Sequence, residues 1–193
     1  MQKGPAQTSD HRRRTNVHLL IIAALGVVAS MAVALMVTAA PTRTTTETVR
    51  FVISGDQGNM AYSPTNITVS ADALVTIIIT NYDTQSHSAP PLAQQVSGTT
   101  GGVAYYQFSL NAHTQSLGQL ASSDISHTFS VDYGSTWLNV PIPPAASPTN
   151  PSVTTFTTSF SSIGTYTWYC DAMCGSLPMT PPGEMAGYVH VVK

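Results

Sequence analysis

Two kinds of apolar pattern divide the chain. Residues 17–40 read VHLLIIAALGVVASMAVALMVTAA, apolar on every face and free of Asp, Glu, Lys and Arg. About 20 such residues at ~1.5 Å rise each cross the hydrocarbon core of a bilayer, so this stretch predicts one transmembrane helix. Beyond it the period shortens to two. Residues 66–70, 128–131, 154–160 and 165–169 alternate polar and apolar, and 187–192 close the chain as a strand. The β-branched run 74–80 (LVTIIIT) predicts a strand buried on both faces. Gly and Pro punctuate these runs, and no amphipathic helix interrupts them. Short strands with such turns predict an all-β fold, a Greek-key β-sandwich or barrel, behind one N-terminal transmembrane helix.

Two stretches break the alternation. Residues 89–122 are rich in Ser, Gln, Gly and Thr around an apolar patch at 103–108, and read as a long insertion carrying a hairpin. Residues 141–151 (PIPPAASPTNP) read as a rigid, extended loop, because proline has no N–H for a sheet ladder. Long loops of this kind are often functional.

Charge sets the topology. Arg12, Arg13 and Arg14 precede the apolar span, and positive flanks stay cytoplasmic. The expected organisation is a basic cytoplasmic tail at 1–16, an anchor at 17–40, a polar linker at 41–48 and an extracytoplasmic domain at 49–193. A cleaved signal peptide ending at Val37-Thr38-Ala39-Ala40 is the competing reading. Its apolar region would exceed the usual ~7–15 residues, which favours the anchor; both readings export the domain. From Glu47 onward eight acids face two bases, Arg50 and Lys193, a net of −6. Only 8% of the chain is charged, against about 25% in ordinary soluble proteins. A surface of Ser, Thr, Asn and Gln suits an acidic exterior, where ion pairs lose their carboxylates. A net charge of −2 without a basic cluster in the domain excludes nucleic acid as a partner. Asn66-Ile67-Thr68 is a glycosylation sequon and equally an ordinary strand start.

The candidate chemistry lies in residues 164–192, GTYTWYCDAMCGSLPMTPPGEMAGYVHVV. A strand delivers Cys170, a loop places Cys174 four residues on, and Met179 and Met185 follow. Two thiolates and a thioether are soft ligands suited to copper. Three other readings stand beside that one. Cys170 and Cys174 could form a disulfide in an oxidising compartment, or remain buried free thiols, and Met185 could be simple core.

C-x3-C-G after a GTY strand, followed by M-x-G-x-V-x-V-V, resembles the CuA-binding domain of subunit II of heme–copper terminal oxidases. Asp124-Ile125-Ser126-His127-Thr128-Phe129-Ser130-Val131 resembles the family's D-V-x-H-x-F-x-V segment. Residues 62–69, 138–141 and 152–157 resemble its other strands. The resemblance covers most of the chain apart from the insertion. It implies a cupredoxin β-sandwich behind a membrane anchor, with Cys170 and Cys174 as bridging thiolates, His127 as a terminal ligand and Met185 as a weak thioether ligand. Ala172 stands where the family has a glutamate that coordinates through its backbone carbonyl, which any residue supplies. Pro178 stands where the family places its second histidine, and the Cys174–Met185 spacing is eleven rather than seven. The copper site is therefore altered or lost, as in quinol-oxidising members that lack CuA. Residues 81–88 resemble the N-x-D-x-x-x-H segment of many cupredoxins, making His87 a rival or additional ligand. Trp137 and Trp168 could line the path by which electrons arrive.

The implied role is a non-catalytic subunit II of a terminal oxidase in aerobic respiration, in the cell membrane with its N-terminus cytoplasmic. Its partners would be the catalytic subunit I, other membrane subunits, and a quinol or small metalloprotein as electron donor. One alternative is a membrane-tethered blue copper carrier similar to sulfocyanin or rusticyanin. The other is a copper-free structural subunit with a Cys170–Cys174 disulfide.

Overall fold

The computed structural model describes residues 45–55, 60–134, 136–174 and 183–193. The tail, the anchor, the first half of the linker (41–44), Pro178 and Met179 lie outside them. No helix among the described residues is long and apolar enough to cross a membrane.

Among the described residues, eleven strands make two sheets: β1 (Thr46–Ser54), β2 (Ala61–Ser63), β3 (Asn66–Ser70), β4 (Leu74–Asn81), β5 (Ala104–Phe108), β6 (Asn111–Leu117), β7 (His127–Tyr133), β8 (Thr136–Ile142), β9 (Ser152–Thr158), β10 (Gly164–Tyr169) and β11 (Ala186–Val192). One sheet runs β2-β1-β4-β9-β5-β6 and the other β3-β11-β10-β7-β8. β1 lies parallel to β4, and β3 parallel to β11; the remaining pairs are antiparallel. Successive strands change sheet repeatedly, so the inward faces of both sheets close on one core. This is the all-β, two-sheet architecture that the alternation predicts.

Four local expectations need correction. First, β1 begins at Thr46, inside the expected linker. Its polar composition hides a strand whose inward face carries Glu47, Val49, Phe51 and Ile53. The Glu47 carboxylate accepts the Ser70 backbone N–H at 3.2 Å. Second, β4 is buried on one face only: Val75, Ile77 and Ile79 are fully buried, while Leu74, Thr76, Ile78 and Thr80 are half-exposed. There β-branching serves the extended backbone rather than a second core. Third, Pro141 belongs to β8, opposite Thr128. β8 closes its sheet, and an edge strand tolerates a residue without N–H. Fourth, the insertion does not stand outside the alternating strands: its expected hairpin, β5 and β6, extends the first sheet through β9. Polar, exposed side chains from His113 to Ser116 blunt that edge against further pairing.

The core is aromatic. Phe129 and Trp168 stack at 5.5 Å between ring centroids, flanked by Phe51, Tyr62 and Phe156. The Trp168 indole N–H donates to Thr65 O at 2.7 Å, so this large side chain is buried without leaving its donor unpaired.

Asn139 on β8 ties the insertion to the sandwich. Its Nδ2 donates to Ala93 O at 3.1 Å and Gln95 O at 2.6 Å, and its Oδ1 accepts from Ser130 Oγ at 2.8 Å. Asn139→Ala would strand three polar groups and is expected to cost about 2–3 kcal/mol. Urea unfolding should show a lower midpoint at unchanged slope. An unchanged midpoint would mean that residues 93–95 are held by other contacts.

Candidate metal centre

The site forms where β7 begins, β10 ends and the segment after β4 crosses them. Cys170 follows β10, and its N–H donates to Met185 O at 3.0 Å, in continuation of the β10–β11 pairing. Cys174 is reached by a tight loop in which its own N–H donates to Ala172 O at 2.8 Å. Two bonds pin that loop: Asp171 N–H to Thr128 Oγ1 at 2.6 Å and Met173 N–H to Ser88 O at 2.8 Å. His127 opens β7 and is fully buried.

These elements bring three soft or borderline donors together. His127 Nδ1 lies 3.2 Å from Cys174 Sγ and 3.9 Å from Cys170 Sγ, and the sulfurs are 3.4 Å apart. Neither cysteine is in a disulfide. A disulfide needs sulfurs at about 2.05 Å. A point equidistant from all three donors lies about 2.0–2.1 Å from each, against roughly 2.0–2.3 Å for metal–nitrogen and metal–sulfur bonds. The arrangement therefore fits a metal ion better than a disulfide.

The backbone around the sulfurs treats them differently. The Thr128 N–H points at Cys170 Sγ at 3.3 Å, and Cys174 Sγ lies 3.7 Å from Ser126 O, an acceptor. Desolvation alone would raise the Cys170 thiol. Hydrogen bonding from Cys174 and His127, the His127 charge and the Thr128 N–H hold it well below the ordinary thiol range. Hydrogen bonding to Cys170 pushes the Cys174 thiol far up, and burial and the neighbouring negative charges add to this. Without metal the pair is one thiolate and one thiol.

Behind His127 stands Asp83, which sequence reasoning left without a role. Two local turns fix it: the Asp83 N–H donates to Asn81 Oδ1 at 3.0 Å, and the Gln85 N–H to Asp83 Oδ1 at 2.9 Å. The proline-rich loop adds a bond from the Ala145 N–H to Asp83 O at 2.7 Å. Desolvation opposes its ionisation, but His127, the Gln85 N–H and His87 hold the carboxyl well below the usual range. Burial would lower the His127 pKa, yet Asp83 and Cys170 together raise it. The signal available in the sequence was the four-residue spacing from Asp83 to His87 after the strongest strand.

The rival histidines occupy different places. His127 faces the sulfurs through Nδ1. His87 Nε2 lies 3.0 Å from Asp83 Oδ2, and the two imidazole rings are 5.5 Å apart. Met185 is fully buried beside Cys170. Trp168 is part of the aromatic core, and Trp137 is half-buried on β8. Tyr62 joins the site from β2: its hydroxyl donates to Thr128 O at 2.9 Å, with its ring 6.2 Å from that of His127. Met173, beside buried Cys174, is 73% exposed, so the centre lies just beneath the surface.

No protein-family model matches the chain, and no curated protein sequence matches it. Among solved structures, a multicopper oxidase from Pediococcus acidilactici aligns at 10% identity over 81% of this chain and 28% of its own, with a TM-score of 0.37. Auracyanin B aligns at 12% identity over 76% of this chain and 89% of its own, with a TM-score of 0.32. The copper protein rusticyanin aligns at 14% identity over 75% of this chain and 78% of its own, with a TM-score of 0.36. At these values the alignments assign neither family nor activity.

Proposed function

We propose that residues 49–193 form a cupredoxin-like copper domain that serves as subunit II of a membrane heme–copper terminal oxidase, beside the catalytic subunit I. The observation that carries this reading is the buried triangle of Cys170 Sγ, Cys174 Sγ and His127 Nδ1. The sequence resemblance over the same residues supports it. His87 is turned to Asp83 and Pro178 carries no donor, so the site holds one copper at the sulfurs rather than a thiolate-bridged pair.

Copper there would supply one-electron chemistry by cycling between its two oxidation states. The rest is the work of the chain. β7 and the β10–β11 hairpin fix the donors before any metal arrives, so little rearrangement accompanies a change of charge. Full burial of Cys170 and His127 excludes water. The Thr128 N–H on Cys170 Sγ withdraws electron density from that sulfur and raises the potential. The Asp83 carboxylate, 3.1 Å from His127 Nε2, favours positive charge on the far side of that ring. Electrons arrive from a quinol or a small metalloprotein.

The test is extraction of the full chain in mild detergent, with heme and copper analysis and a visible spectrum. A heme-containing complex is expected. Its thiolate-to-copper band should saturate at one copper per chain. Recovery of a copper-loaded chain without heme partners would favour the tethered carrier. A copper-free chain with a Cys170–Cys174 disulfide would favour the structural subunit. A thiolate band that saturates only at two coppers would restore the dinuclear centre.

A further inference from the structure

His127 presents a second nitrogen to a second group of donors. Its Nε2 is buried and has no hydrogen-bond partner among the described residues, although Asp83 Oδ2 stands 3.1 Å away. The carboxylate oxygen is close but off the ring N–H direction. The same Oδ2 is 3.0 Å from His87 Nε2 and 3.2 Å from Ser126 Oγ. Two imidazole nitrogens and a carboxylate thus converge within 4.8 Å of one another, distinct from the sulfur donors.

An open axis at a buried nitrogen, with a carboxylate beside the axis, suits a shared cation. Ligand atoms about 2.0–2.2 Å from one ion and about 90–109° apart are separated by roughly 2.9–3.6 Å. The contacts of 3.0 and 3.1 Å to Asp83 Oδ2 fall in that range. Two imidazoles and one carboxylate suit a borderline divalent ion. His87 keeps 12% of its side-chain surface in solvent, which gives the ion a way in.

We propose that Asp83, His87 and His127 form a second metal site for a zinc-like divalent cation, with His127 shared between it and the sulfur site. Binding is a ligand exchange: the ion takes the lone pairs of both Nε2 atoms, and protons on those atoms leave to solvent. His127 then bridges two metals by its two ring nitrogens. The second site needs neither cysteine, and in this it stands apart from the copper reading, but the bridging role rests on that reading.

Zinc tests it, because zinc is redox-silent and both sites accept it. Metal-free, reduced full chain in detergent should bind two zinc ions by metal analysis and calorimetry. His87→Ala should bind one, with affinity for the other reduced at least a hundredfold, while its circular dichroism stays that of the parent. The double variant Cys170→Ser/Cys174→Ser should retain one zinc and lose it on adding His87→Ala. Two zinc ions in folded His87→Ala, or a single one in the parent that Cys170→Ser/Cys174→Ser abolishes, would overturn the second site and leave the sulfur site standing. A parent whose only zinc survives loss of both cysteines would instead overturn the sulfur site and uphold this one.

Discussion

Cys170→Ser is expected to remove the thiolate-to-copper band and to weaken copper binding by roughly a hundred- to a thousandfold. Cys170 is the sulfur the fold keeps ionised: the Thr128 N–H and the charge of His127 both favour its thiolate. Serine is isosteric, but its hydroxyl does not ionise under the same forces, and a hard oxygen replaces a soft ligand. A complete structural site binds with about 10–16 kcal/mol, so one of three or four ligands is worth roughly 3–4 kcal/mol. Cys174→Ser should lose the 3.4 Å contact between the sulfurs, but it leaves the ionised ligand in place. A weaker, shifted band is expected there. Competition against a chelator of known affinity, followed in the visible spectrum, measures both. Equal and complete loss in the two variants would show that the sulfurs are equivalent in the bound state. Unchanged binding in Cys170→Ser would remove the sulfur triangle from the site.

The same donors show what a sequence can and cannot disclose. His127 and Cys170 stood out because each lies at the end of a strand, and Cys174 because a short loop returns it to Cys170 four residues on. The opposition of His87 and His127 was not decidable from spacing. Both follow good strands, and only the crossing of residues 82–88 over β7 turns one ring to the sulfurs and the other to Asp83. Asp83 itself was hidden by its ordinary composition. An aspartate after a strand reads as a turn residue, and it is one, through its bond from Gln85; its second oxygen faces the histidines. β1 was hidden for a related reason. Two threonines and one glutamate at 46–48 read as linker, but the glutamate is paired with the backbone of β3. The insertion was legible as a hairpin, but not as part of the sheet. The hairpin docks by pairing with β9, more than 40 residues on from β5, and the backbone at Ala93 and Gln95 is held by the side chain of Asn139.

Gly187→Ala is expected to be the most destabilising single methyl group in the domain, at about 3–5 kcal/mol. β11 runs parallel to β3, and at Gly187 the two backbones come so close that a Cβ would overlap Thr65 O and lie 2.6 Å from Trp168 Nε1. Thr65 O accepts two hydrogen bonds, from Trp168 Nε1 at 2.7 Å and from the Tyr188 N–H at 3.1 Å. Neither a carbonyl in a ladder nor a buried indole yields cheaply. Relief requires β3 to separate from β11, which breaks both bonds at about 1 kcal/mol each and adds the strain of overpacking. Trp168 would also lose its seat on Phe129. The damage reaches the metal centre, because Trp168 pairs with Gly187 two residues before Cys170. Thermal unfolding of the metal-free domain should fall by roughly 10–15 °C at this size. Copper affinity should fall with it, although no ligand has changed. A melting temperature within about 2 °C of the parent would mean that β3 and β11 have room to move apart, and that Thr65 does not fix the indole beside the cysteine loop.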